Sequence, residues 1–263
     1  MDLGLSGKAA WVLGGSSGLG RGSAAALARE GARVAISARD EQRLQDAATA
    51  LNDLGGTCIG VPCDVSDASS IDTAHAAVTE AFGPIDILVA NAGGPPKGTF
   101  DDLDEDALYG AFTLTTASAW RLTKAVVPAM QERGSGVVIF IASSSTKEVI
   151  PGLLLSNMMR AAVVGMAKTL SKELGPRGIR VLCVSPGRID TPRVEALDVA
   201  NAEAAGIDVA DVKRRSENQI PLGRYGTEDE FGAVVAFLAS ERASYMNGTN
   251  VLVDGGMLNG LPS

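Results

Sequence analysis

The segment GGSSGLG, Gly14 to Gly20, sets glycines at 14, 18 and 20 around two hydroxyls, Ser16 and Ser17, with Leu19 between the last two glycines. Glycines so spaced allow a tight turn, close approach of backbone to a phosphate, and close packing of the helix that follows. That helix would aim its N-terminal amides at the same phosphate. Further on, Ser37-Ala38-Arg39 closes a second apolar run. A carboxylate there would bind ribose hydroxyls and repel a 2′-phosphate. Ala38 removes that repulsion, and Arg39 offers a guanidinium fork suited to a phosphate. Ser16 and Ser17 are further donors to the same group. The alternative for Arg39 is an exposed strand-end charge. The predicted chemistry is dinucleotide binding, with NADP(H) favoured over NAD(H).

The surrounding elements must place these residues at one edge of a sheet. Short β-branched and apolar runs recur along the chain: Lys8–Leu13, Ala32–Ser37, GTCIGVPC, Ile85–Ala90, Val137–Ala142, Ile179–Val184 and Thr249–Asp254. Between them lie helical patterns, including Glu41 to about Leu54, Asp67 to Phe82, about Glu105 to Arg133, and Pro151 to Leu170. Strands apolar throughout read as buried parallel strands, and β–α alternation gives crossovers with helices on both faces. The expectation is an α/β fold: a Rossmann-type, doubly wound parallel sheet of about seven strands in one domain over 1–263. Residues about 190–222 are acidic and alanine-rich, and read as a helical lid beside the sheet's carboxyl edge.

Composition narrows the classes. The 263 residues are 46% hydrophobic and carry a net charge of −8, which argues against nucleic acid or an anionic membrane surface as partner. Three cysteines without metal-ligand spacing and one histidine, His75, argue against a metal site; His75 reads as a solvated side chain. No apolar run reaches a membrane-spanning length. Free thiols and an N-terminus unlike a signal peptide point to the cytoplasm.

The glycine spacing and its companions resemble the short-chain dehydrogenases/reductases along the whole chain. Asp64-Val65 resembles that family's adenine contact, and Asn91-Ala92-Gly93 its Asn-Ala-Gly element. Pro186-Gly187, with Ile189 and Thr191 beyond, resembles the loop that meets the nicotinamide. IPLGRYGTEDEFGAVVAFLAS with NGTNVLVDGG is similar to the C-terminal region of the 3-oxoacyl-(acyl carrier protein) reductases. The resemblance implies an oxidoreductase that exchanges a hydride between NADP(H) and a carbonyl/alcohol substrate, a small molecule or acyl thioester. It also implies a homotetramer, built on the long helix from Glu105 (Trp120, Val126, Val127) and the helix from Pro151 (Leu153 to Leu155, Val163, Val164).

The family's catalytic set is a tyrosine, a lysine four residues on, a serine thirteen before, and an upstream asparagine. Aligned through RAAVVGMAKTLSKEL, the tyrosine position holds Ser156, the lysine position Arg160, the serine position Ser143 and the asparagine position Thr115. Leu13 and Ala90 also replace a usual threonine and asparagine. Serine is a far weaker acid than tyrosine and shorter in reach, and arginine stays charged and cannot relay a proton. Arg160 is expected to hold the cofactor ribose and Ser143 the substrate oxygen, with Ser156 completing the pocket. Tyr109 and Lys147 are alternative donors, and Lys97 a residue of the cleft mouth or a solvated lysine. The alternative function is a nucleotide-binding sensor or scaffold of the same fold.

Overall fold

The structure is a computed structural model that describes residues 2–260; Met1 and 261–263, the ends of the expected domain, lie outside the described residues. Seven strands form one all-parallel sheet in the order β3-β2-β1-β4-β5-β6-β7. They are β1 (Ala9–Leu13), β2 (Arg33–Ser37), β3 (Thr57–Gly60), β4 (Ile87–Ala90), β5 (Gly136–Ile141), β6 (Ile179–Pro186) and β7 (Asn250–Val253). Their register brings the loops after β1, β2, β4, β5, β6 and β7 to a single edge. The chain reverses its direction of crossover between β1 and β4, and the crevice outside such a switch point is where open α/β sheets take ligands.

Strand alternation divides the core. Ala10 and Val12 of β1 join one cluster with α1 (Gly18–Arg29), α2 (Glu41–Asn52) and α9 (Glu228–Ala239). Ala9, Trp11 and Leu13 join the other, against α3 (Ala68–Phe82), α5 (Ser118–Arg133) and α6 (Leu154–Leu174). Each fully buried Leu or Ile there contributes roughly 1.5–3 kcal/mol relative to exposure. Helix starts follow their caps: Asp40, Asp67 and Thr227 each accept a hydrogen bond from a first-turn amide, and Thr227 with Glu230 forms a complete capping box.

Several expectations shift. α6 begins at Leu154 rather than Pro151, because Gly152 (φ 72) turns the chain and Leu153 pairs with Gly98. The long helix is α4 (Glu105–Ala111), a π-helical turn at Phe112–Ala117, and then α5. β4 starts at Ile87 because Asp86 is occupied in bridging: its carboxylate accepts from Ala9 N at 2.8 Å. His75 is half-buried rather than solvated, tilted against Trp11 with ring centroids 6.0 Å apart; burial pushes its pKa below the usual histidine value. Of the apolar residues named on the two helices expected to build the assembly, Val126, Leu155 and Val163 are buried within the subunit. Trp120 points outward and is 52% exposed. The segment expected as a lid folds as α7 (Pro192–Ala205) and α8 (Val209–Glu217). No helix among the described residues is long and apolar enough to cross a membrane, and no three His, Cys, Asp or Glu side chains cluster there for a metal.

Candidate active site

A cavity of about 370 Å³ opens at the carboxyl edge of the sheet. One wall is the turn after β1. Gly14 has φ 63, a conformation that favours glycine, and a Cβ there would lie 2.6 Å from Asn91 Nδ2. A Cβ on Gly20 would run into the Gly14 carbonyl oxygen, so the turn and α1 touch backbone to backbone. Ser17 is the N-cap of α1, yet its side chain makes no capping bond. The first-turn amides of α1 therefore lack a side-chain acceptor, which leaves them for an anion.

Asn91, Ala92 and Gly93 line the adjoining wall, and Pro186, Gly187, Ile189 and Thr191 the opposite one. Thr191 caps α7 through its own hydroxyl and packs 3.6 Å from where a Cβ on Gly18 would sit. The β6–α7 loop is thus held against the β1–α1 turn, with Gly18 and Leu19 between them. Gly15 N donates to Ser37 O at 3.2 Å, and this ties the same turn to the end of β2. Arg39 lies just beyond, exposed and without an ion-pair partner among the described residues. Cys63 N donates to Ala38 O, which carries the segment leading to Asp64 and Val65 alongside. Asp64 is held locally: its amide donates to Ser70 Oγ, and its carboxylate accepts from Ser66 N. Arg39, Asp64, Val65 and Ser16 do not line the main cavity but extend from its β1–β2 flank.

The deeper end holds Ser143, Ser156 and Arg160. Ser143 Oγ accepts from Ser145 N at 3.1 Å, which leaves its own proton to donate. Arg160 is 8% exposed; it donates to Ile141 O at 2.7 Å and to Ala92 O at 3.1 Å. Both partners are neutral carbonyls, and among the described residues no carboxylate pairs with the guanidinium. Burial, then the nearby Arg193, pushes its pKa down to about 10. It remains a cation at neutral pH, in contact with the cavity and short of compensation.

Thr115 does not reach the main cavity. It sits on the π-helical turn, 2% exposed, its Oγ1 buried without a hydrogen-bond partner among the described residues. It borders a void of about 10 Å³ shared with Arg160 and Asn91. Tyr109 is 60% exposed on α4 and lines none of this. Lys97 stands at the mouth, in an adjoining cleft of about 410 Å³. Sequence reasoning missed Arg188, Arg193, Leu197 and Met257, which complete the walls. For Arg193 a signal existed: Thr191-Pro192 is an N-cap followed by proline, which puts residue 193 in a first helical turn facing the same loop.

The parallel sheet, its switch point and a glycine turn feeding a helix without a side-chain cap define an α/β protein of the Rossmann type. Residues 14–258 match the family described as enoyl-(acyl carrier protein) reductase. Oxidoreductase UcpA of Salmonella typhimurium is 35% identical over 254 residues, 96% of this chain and 95% of that protein. Human dehydrogenase/reductase SDR family member 4 is 33% identical over 255 residues, 96% of this chain and 88% of that protein. Among solved structures, L-sorbose reductase from Gluconobacter frateurii, complexed with NADPH and L-sorbose, superposes with a TM-score of 0.94 at 34% identity, covering 99% of this chain and 100% of that one. An actinorhodin polyketide ketoreductase with NADPH gives 0.93 at 32%, covering 96% and 98%. The chain belongs to the short-chain dehydrogenase/reductase family of oxidoreductases.

Proposed function

We propose that the protein is an NADP(H)-dependent oxidoreductase acting on a carbonyl/alcohol pair, similar to the 3-oxoacyl-(acyl carrier protein) reductases, with a weakened proton-donating set. The observation that carries this reading is the buried Arg160 cation, which faces the cavity with no carboxylate against it. A cation so placed costs desolvation energy unless an electron-rich group enters the cavity. The residues fit a phosphorylated dinucleotide. Gly14 to Gly20 and the open α1 amides suit its diphosphate, and the unpaired Arg39 suits a 2′-phosphate. Asp64-Val65 flanks the adenine, while Asn91 to Gly93 and Pro186 to Thr191 flank the nicotinamide end. When bound, the cofactor supplies the hydride.

The chain's own residues position and polarise. Ser143 donates a hydrogen bond to the substrate oxygen. Arg160, pinned by Ile141 and Ala92, presents its remaining N–H groups to the ribose and to charge developing on that oxygen. Ser156 closes the pocket, and neither it nor Arg160 transfers a proton efficiently. Loss of general-acid catalysis typically costs about 10²–10⁴ in rate, while positioning survives. Thr115 is a positioning residue behind Arg160. α7 and α8 act as the substrate lid. The subunits assemble as a homotetramer through the outward face of α5 and α6, where Trp120, Pro128 and Leu170 border a groove of about 290 Å³; the protein works in the cytoplasm.

The test is a screen of the purified protein for NADPH oxidation with β-ketoacyl thioesters and small ketones. Slow but saturable oxidation of at least one is expected. Tight NADPH binding with no oxidation of any would favour a sensor or scaffold instead, and the Ser156 position is the feature that would explain it.

A further inference from the structure

We propose that the substrate is an anionic carbonyl compound, one whose ketone or aldehyde is joined to a carboxylate or phosphate, and that Lys97 and Arg193 at the cleft mouth receive that group. The inference rests on the carbonyl-reductase reading above and names the substrate class for the same site.

The main cavity and the cleft beside it share Arg188, Leu197, Ile150 and Leu153 as a common wall. Four cations border the combined space: Arg160, Arg188, Arg193 and Lys97. Two acids stand against them, and both are already engaged. Asp198, 3% exposed, accepts from Arg188 at 2.8 Å and from the Tyr225 hydroxyl at 2.8 Å. Asp102 accepts from Thr99 N at 2.8 Å and Thr99 Oγ1 at 2.7 Å. Asp102 is the one acid among the described residues lining the two spaces; with Asp198, which pairs with Arg188 from behind, four cations face two acids, a balance of plus two in a chain whose net charge is −8. A cleft of one sign against such a background focuses the field on a ligand of the other.

Two of the four cations have only neutral partners at the mouth. Arg193 donates to Pro95 O at 3.1 Å, its guanidinium lying where a Cβ on Gly94 would come within 2.7 Å. Lys97 Nζ donates to Asn201 Oδ1 at 2.9 Å and to Leu197 O at 3.3 Å. Asn201 and Leu197 belong to α7, so the lysine and the lid helix meet across the cleft. Burial first, then the Arg193 and Arg188 guanidiniums, pushes the Lys97 ammonium below its ordinary pKa. Cations that oppose one another in this way gain when an anion enters between them. The walls between the mouth and Ser143 are apolar (Ile150, Leu153, Leu197), which suits a short carbon linker from the anionic end to the carbonyl.

Two matched pairs test this: levulinate against its methyl ester, and hydroxyacetone phosphate against hydroxyacetone. Binding is measured by calorimetry with and without NADP⁺, alongside NADPH oxidation. In at least one pair the anionic member should bind about tenfold more tightly or show a KM lower by that factor. The advantage should shrink in 0.5 M KCl, and the pair that shows it tells carboxylate from phosphate. Lys97→Met/Arg193→Met should abolish the advantage, and Lys97→Arg should keep most of it. Equal binding of charged and neutral members in both pairs would overturn the inference while leaving NADPH oxidation, and so the reductase reading, intact. A loss of NADPH affinity in Arg193→Met as large as the loss for the anion would assign Arg193 to the cofactor diphosphate and equally overturn it. Failure of NADPH to bind would sink the reductase reading, and the calorimetry without cofactor would still decide whether the mouth takes anions.

Discussion

The Arg160 guanidinium donates to the Ile141 carbonyl across 2.7 Å, locking this side chain from the second turn of α6 onto the last residue of β5. A flexible ammonium in that position could follow a substrate or a relay; a planar fork held at two carbonyls is fixed. Arg160→Met keeps much of the stem and removes the charge. It should weaken NADPH binding by about tenfold, the scale of a lost charge-assisted hydrogen bond. Ser156→Ala should change that affinity less than twofold. Titration calorimetry on both variants checks the contrast.

The exposed Arg39 and the small Ala38 beside it predict tighter binding of NADPH than of NADH. Ala38→Asp sets a like charge against the 2′-phosphate and should reverse the order. Equal affinities for the two cofactors in the parent would show that Arg39 is only a strand-end charge.

Much of this was readable in advance. The seven β-branched runs located every strand to within a few residues, because a strand buried on both faces leaves no room for polar interruption. The glycine turn was readable for a similar reason: its backbone conformations and contacts exclude side chains. The π-helical turn was not, since Phe112–Ala117 reads as ordinary helix and the widened turn is a property of backbone pairing. Nor was the anchoring of Arg160, which depends on Ala92 O and Ile141 O, each distant in sequence. Nor was the pairing of Arg193 with Lys97, which the sequence left between the cleft mouth and a solvated lysine, because that pairing is made by the meeting of the β4 loop with α7.

Glu230 shows how a cap couples to pH. The Arg224 side chain, and then the Thr227 amide, hold its carboxyl down at about 2. A lowered carboxylate pKa stabilises the fold above the unfolded value of about 4.5, and the contribution is lost as pH falls toward 2. Glu230→Gln can still bond Thr227 but not pair with Arg224. The variant should therefore melt lower than the parent at pH 7, with the gap closing between pH 4.5 and 2. Thermal melts across that range decide it; a gap that widened on acidification would contradict the sign.

Trp120, half in solvent on α5, lies on the face proposed above for assembly. Light scattering should return a tetramer for the parent at micromolar concentration and a smaller species for Trp120→Glu, since a desolvated carboxylate at an apolar contact is costly. A monomeric parent would show that this face is not an interface.

The central claim is that this chain positions cofactor and carbonyl while lacking an efficient proton donor on α6. The most direct test is steady-state NADPH oxidation with one simple ketone by the parent, Ser156→Ala, and Ser156→Tyr/Arg160→Lys. The double change restores a phenol whose acidity a nearby cation can raise, and turnover should rise by up to the order of 10²-fold. A parent that already turns the ketone over at ordinary rates, unchanged in Ser156→Ala, would contradict the account and move the search for the proton to Ser143 and Lys147.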